Sequence, residues 1–165
     1  MCTWAAPIRS YGCGDARARR AWRRRACIVS PWADPSRLKL VDSQPKAAIG
    51  KLLANLALAI SAEGMKEALL FGDATGLTAA ETLDLLDSTG LSFMANLKRD
   101  FVLGDRSTDP GDFTVDALCK DSKLMLDTAG QVLPGIQAAV ESFTIQQDHG
   151  RGDHDFSAIL VHRSE

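Results

Sequence analysis

The sequence is poor in the residues that build metal and disulfide scaffolds. Its 165 residues hold three histidines, one tyrosine and four cysteines. Cys2, Cys13 and Cys27 have no CxxC spacing and no histidine nearby, and Cys119 stands alone in a helical stretch, so neither a zinc site nor a disulfide framework is indicated. A reducing cytoplasm is the expected compartment. Long apolar runs are also missing. Lys51 and Glu63 bracket only eleven residues, Leu52 to Ala62, where a bilayer span needs about 20, so no membrane is expected. No segment alternates with a strand's period for more than a few residues, and no Val/Ile-rich run leads into a glycine-rich turn. The first thirty residues lack the apolar core of a secretory signal. They are Arg-rich and acid-poor like a mitochondrial transit peptide, but rich in Trp and Cys rather than Ser, which leaves mitochondrial targeting the lesser alternative.

What is present divides at about Pro45. With 45% hydrophobic residues the chain has enough for one core. The net charge of -2 conceals a head, residues 1–45, of about +6 and a body, residues 46–165, of about −8. The head holds all three tryptophans, the tyrosine and three of the cysteines. Its cluster Arg17, Arg19, Arg20, Arg23, Arg24 and Arg25 around Trp22 could contact phosphates, but no recognisable fold presents it. The head is therefore expected to be unstructured, and nucleic acid is not the expected partner. Gly12-Cys13-Gly14 begins like a dinucleotide fingerprint, yet Arg17 takes the third glycine position and no apolar strand precedes it.

The body reads as five or six helices, an all-α domain. Ile49, Leu52, Leu53, Leu56 and Ile60 follow helical spacing, and Pro45 suits a first turn, so one long helix is expected from about Pro45 to Gly72. Gly76 offers a stop, and Thr78-Ala79-Ala80-Glu81 is a capping box that starts a second helix, to about Ser88. A short helix from about Ser92 to Arg99 follows, then a polar loop from Gly104 to Gly111 with an Asp109-Pro110-Gly111 turn. Val115 opens a helix that Gly130 should stop, and Pro134 opens another. Gly150 to Gly152 reads as a hinge before a short terminal helix.

Within this pattern Lys51 and Asn55 share one helical face, continued by the small Ala59 and Ala62, which could let a ligand or another backbone approach. A partly buried lysine can exchange a proton with an alcohol while asparagine orients it. Equally, Lys51 could snorkel from a core helix with Asn55 solvated. Lys120-Asp121, with Lys123, could supply a cation to a phosphate or carboxamide, or be a solvated face. In Gly150-Arg151-Gly152-Asp153-His154-Asp155 the carboxylates are explained by helix N-capping through Asp153 or Asp155, without a metal.

Taken in order, these segments resemble the C-terminal helical domain of the β-hydroxyacid dehydrogenases, the family of 3-hydroxyisobutyrate dehydrogenase related to 6-phosphogluconate dehydrogenase. The resemblance covers about Ala48 to Ala158. Gly50-Lys51-Leu52-Leu53-Ala54-Asn55 is similar to the family's catalytic helix motif, continued by Glu63-Gly64-Met65-Lys66-Glu67-Ala68-Leu69 and by the Gly76-Leu77 turn. Phe113, Leu118 and Lys120-Asp121 resemble a second signature, and Leu133-Pro134 and Gly152 with Asp155-Phe156-Ser157-Ala158 the remaining landmarks.

The resemblance implies an NAD(P)-dependent oxidoreductase acting on 3-hydroxy acids or aldehyde acids. It implies Lys51 as general acid/base, Asn55 as substrate-binding and Lys120 as cofactor-binding, with NAD or NADP as cofactor and a homo-oligomer or a full-length relative as partner. Two departures stand out. Ala54 replaces an asparagine found in many members, and the family's N-terminal Rossmann domain does not fit in 45 residues, since domains of that kind run to ~100–150. The chain is accordingly expected to be a truncated form, inactive alone, its head arising from fusion or an altered reading frame. The alternative is a non-catalytic helical module for dimerisation or interaction.

Overall fold

The computed structural model describes residues 4–5, 39–41 and 43–164. The chain divides into two compact units, Met1–Ala54 and Asn55–Glu165. The first contains two dipeptide strands, β1 (Trp4–Ala5) and β2 (Lys39–Leu40), paired in parallel with Trp4 opposite Lys39. The arginine cluster and the Gly12-Cys13-Gly14 segment lie outside the described residues, as does most of the head expected to be unstructured.

Six helices follow among the described residues, and the body is all-α. The first, α1 (Gln44–Thr75), has 32 residues and at about 1.5 Å per residue extends roughly 48 Å. Ala59, Ala62, Met65 and Leu69, spaced three or four apart, are fully buried and make its core stripe. Two small residues on that stripe let neighbouring elements approach the α1 backbone. Gly76 ends the run at φ +85, a conformation open to glycine without a Cβ penalty, while the Leu77 N–H donates to Gly72 O at 2.9 Å.

The expectation that no stretch could span a bilayer is corrected here. The uncharged stretch between Lys51 and Glu63 has eleven residues, but Pro45–Thr75 as a whole is long and apolar enough to cross a membrane by length and composition, with 28% of its most apolar stretch buried. Its buried stripe, and the bond from Lys66 Nζ to Ser142 Oγ at 2.8 Å, are those of a helix packed on other helices.

α2 (Ala79–Leu86) starts where the capping box predicts. Thr78 Oγ1 accepts from the Glu81 N–H at 3.2 Å and Glu81 Oε2 accepts from the Thr78 N–H at 2.8 Å. These bonds hold the Glu81 carboxyl below its ordinary pKa. Thr78→Ala removes one of the two reciprocal bonds and should cost about 1 kcal/mol, read as a lower urea midpoint at unchanged slope.

α3 (Ser92–Leu103) packs on α2 and runs one turn beyond its expected end at Arg99. The charged triplet Lys98-Arg99-Asp100 reads as a polar terminus, but Lys98 is buried and Phe101 is a core residue, so the helix continues to Gly104. α4 (Val115–Ala129) ends at Gly130 and α5 (Pro134–Asp148) begins at its proline, both as the sequence indicates. α4 packs along α5, and α6 (Ala158–Val161) touches α5 and α3. Leu83, Met94, Phe101, Leu118, Phe143 and Phe156 fill the common core.

The stretch expected to be a hinge is pinned instead. Gly152 O and His154 O accept the first N–H groups of α4, from Asp116 and Val115, both at 2.9 Å. Phe156 N donates to Phe113 O at 2.9 Å, and Asp155 N to Thr108 O at 2.7 Å. A Cβ on Gly152 would stand 2.5 Å from Asp116 Oδ1, so glycine is needed there for close approach. The segment is thus the cap of α4, satisfying amides that a helix start leaves unpaired.

Candidate functional site

The helical spacing of α1 puts Asn55 one turn after Lys51. Lys51 is exposed and Asn55 is half-buried. Ala59 and Ala62, on the continuation of that face, are fully buried, which resolves their small size in favour of packing rather than ligand access.

Asn55 is held by α4. Its Nδ2 donates to Asp121 Oδ2 at 2.7 Å, and Asp121 is only 5% exposed. An ionised carboxylate accepts and cannot donate, so this contact fixes the amide's orientation: nitrogen toward Asp121, Oδ1 and the second N–H turned elsewhere. Lys120, the neighbour of Asp121 on α4, is exposed, as is Lys123. The structure therefore brings Asn55 to Asp121 across 66 residues of sequence.

A second polar centre lies deeper. Lys98 is 5% exposed and Asp155 is 0% exposed, and Lys98 Nζ donates to Asp155 Oδ1 at 2.7 Å. The ammonium lies 4.0 Å from the centroid of the Phe156 ring and 4.7 Å from that of Phe101, favourable for cation–π attraction. Asp155 also accepts from the Ser157 N–H at 2.9 Å and from the Phe113 N–H at 3.4 Å. Burial pushes the Lys98 pKa below the usual lysine range, although Asp155 pulls it upward. Burial pushes the Asp155 carboxyl up, but its bonds from Lys98 and Ser157 prevail and hold it below its ordinary value.

Sequence reasoning assigned Asp155 to a helix cap and passed over Lys98. The actual N-cap of α6 is Ser157, and Asp155 is the acceptor hub of an ion pair. One signal was available. Met94, Ala95, Lys98 and Phe101 follow one helical face, so Lys98 sits at a core position of α3. Asp153 is exposed, and His154 Nδ1 is 2.9 Å from Thr108 Oγ1. Among the described residues no group of three metal-binding side chains converges.

Asn55 with its oriented amide and the exposed Lys120 carry donors and acceptors of the kind that could meet a carboxamide or a carboxylate. The first turns of α2 and α4, where backbone N–H groups could cradle a pyrophosphate, are already occupied by Thr78 with Glu81 and by Thr114 with the 152–154 carbonyls.

Comparison with known proteins shows the family and the fold. Residues 46–162 match the family described as the NAD-binding domain of NADP-dependent 3-hydroxyisobutyrate dehydrogenase. Among solved structures, the chain is similar to Psf3 in complex with NADP+ and 2-OPP, with TM-score 0.69 and 20% identity over 85% of this chain and 50% of that one. It is similar to Mycobacterium tuberculosis 3-hydroxyisobutyrate dehydrogenase with L-serine, at TM-score 0.67, 20% identity, 92% of this chain and 53% of that one. It is also similar to a 3-hydroxyisobutyrate dehydrogenase from Salmonella typhimurium, at TM-score 0.67, 22% identity, 81% and 49%. The chain thus spans about half the length of these structures. No curated protein sequence matches it.

Proposed function

This chain belongs to the NAD-binding domain family of NADP-dependent 3-hydroxyisobutyrate dehydrogenase, and on that basis we propose that it contributes the helical, substrate-holding half of an NAD(P)-dependent 3-hydroxy acid dehydrogenase. The observation that supports the reading is the Asn55–Asp121 bond, which orients the Asn55 amide one turn from Lys51 on α1. When bound, NAD or NADP supplies the hydride acceptor for the carbinol carbon.

In this reading Lys51 takes the hydroxyl proton on Nζ while the carbinol hydrogen departs with the C–H electron pair. It returns the proton when an aldehyde acid is reduced. Asn55 Oδ1 accepts from the substrate hydroxyl and keeps it aligned toward Lys51. Lys120 offers an N–H donor to the cofactor's carboxamide or the substrate's carboxylate.

A lysine serves more readily as a base where water is excluded, since desolvation disfavours the charged form. The chain alone is proposed to be inactive and to work in a reducing cytoplasm with a full-length relative, whose nucleotide-binding half would cover the exposed Lys51. The purified chain should show no 3-hydroxyisobutyrate-dependent reduction of NAD+ or NADP+. Activity should appear on adding the isolated nucleotide-binding half of a 3-hydroxyisobutyrate dehydrogenase. Turnover by the chain alone would refute the inactivity, and no activity in the mixture would count against the catalytic reading.

Exposed apolar residues on α1 favour a second reading, a helical association module. Leu53 is 57% exposed and Phe71 72% exposed, and large uncovered apolar surface usually marks association. A monomeric mass at all micromolar concentrations would exclude it.

A further inference from the structure

The geometry points to the buried Lys98–Asp155 pair as the positioning device of the Asn55 amide, acting through the seat of α4. This rests on the proposed role of Asn55 in holding substrate. Asp155 joins three pieces of chain at one carboxylate: Lys98 from α3, the Phe113 N–H that precedes α4, and the Ser157 N–H that precedes α6.

The same stretch of chain closes over the start of α4. Residues 152 and 154 accept the helix's first amides, Thr114 bridges Asp155 in antiparallel fashion, and Phe113 O accepts from Phe156 N. Phe113 also meets Phe156 ring edge to face at 6.1 Å between centroids. Phe113 is thus held at N–H, carbonyl and ring, all by Asp155 and its neighbour. Asp116, in the first turn, is fixed from both sides, by Gly152 against its carboxylate and by Gln147 Nε2 donating to Oδ1 at 2.6 Å.

A helix seated at its first turn is located along its length, because its hydrogen-bonded backbone transmits a shift as a rigid body. Asp121 lies less than two turns beyond Val115, so displacing the seat displaces the carboxylate that orients Asn55. Breaking the pair leaves an uncompensated buried charge, and the segment around the remaining partner rearranges to hydrate it. Lys98 and Asp155 touch no substrate in this scheme; they position Asp121, and through it Asn55.

The test is the side-chain amide signal of Asn55 in the ¹⁵N spectrum of the full chain, assigned by its loss in Asn55→Ser. In the native chain the two Nδ2 protons should be well separated, one shifted by its bond to Asp121. In Lys98→Met, and in the nearly isosteric Asp155→Asn should the first not fold, the pair should collapse toward the position of a solvated asparagine. Arg163→Met is the control. It breaks the Arg163 contacts to Asp73 at 2.8 and 3.1 Å and to Leu160 O at 3.0 Å, at the end of α6 remote from Asp155, and should leave the Asn55 signal in place.

An unmoved Asn55 signal in a folded Lys98→Met or Asp155→Asn chain overturns the proposal. So does an equal movement in Arg163→Met, which would mark general loosening. Titration of the native chain with 3-hydroxyisobutyrate and NADP+ separates this from the functional reading. If neither alters the spectrum with the nucleotide-binding half present, the substrate role of Asn55 fails while the positioning result stands on its own signal.

Discussion

Lys98→Met should cost about 3–5 kcal/mol of folding stability and lower Tm by roughly 6–20 °C. The methionine matches the lysine stem in length, so little apolar contact with Phe101 and Phe156 is lost. What disappears is the cation. Asp155, with no exposure of its own, then keeps two backbone N–H donors but no countercharge. The double change Lys98→Met with Asp155→Leu should recover part of the loss, because an apolar pair needs no solvation; the rest stays lost, since Phe113 N and Ser157 N are left without their acceptor.

The pH dependence follows from the carboxyl. Asp155 has a folded pKa below its unfolded value of about 3.9, so the folded state binds fewer protons between the two. Its stabilising contribution is complete above the unfolded value and is lost as pH falls through the folded one. Asp73, lowered by its Arg163 hydrogen bonds, adds to the same acid limb. Denaturant midpoints from pH 7 to 2 should fall steeply in the native chain below about pH 4. A Lys98→Met chain with the native Tm would contradict the buried-pair account.

Lys51→Ala should reduce reconstituted dehydrogenase activity by about 10²–10⁴-fold, the range for removing a positioned proton-transfer group. Stability should change by no more than about 0.5 kcal/mol, because the side chain is exposed and lies outside the buried stripe of α1. That split separates the two readings of Lys51. A solvated, snorkelling lysine would lose neither activity nor stability on truncation. Lys51→Arg keeps the charge but cannot deprotonate at neutral pH, so it should be as inactive as alanine. Activity of Lys51→Ala within about threefold of native would remove Lys51 from the chemistry.

The helices were legible where their signals are local. Thr78 and Glu81 are three residues apart, and the box they form reads directly from sequence and forms as read. Gly76, Gly130 and Pro134 mark helix ends by their own backbone preferences, whatever packs nearby. The extension of α3 past Arg99 depends on the burial of Lys98, which a partner 57 residues away makes tolerable. The Asn55–Asp121 bond was hidden for the same reason. Each residue had been singled out, but a one-dimensional pattern gives no reason to pair them across two helices. Gly150–Gly152 reads as a hinge because glycine signals freedom. Here glycine at 152 serves contact with Asp116 instead.

The capping of α4 by residues 152–154 also governs the order of events during synthesis. A chain emerging at ~5–20 residues per second presents α1 to α4 before their seat exists. Until Asp155 has cleared the ribosome, the Lys98 ammonium and the first amides of α4 must remain hydrated. Closure of this domain therefore waits on residues 152–160, and any pause before they emerge exposes a half-built bundle to chaperones rather than to substrate.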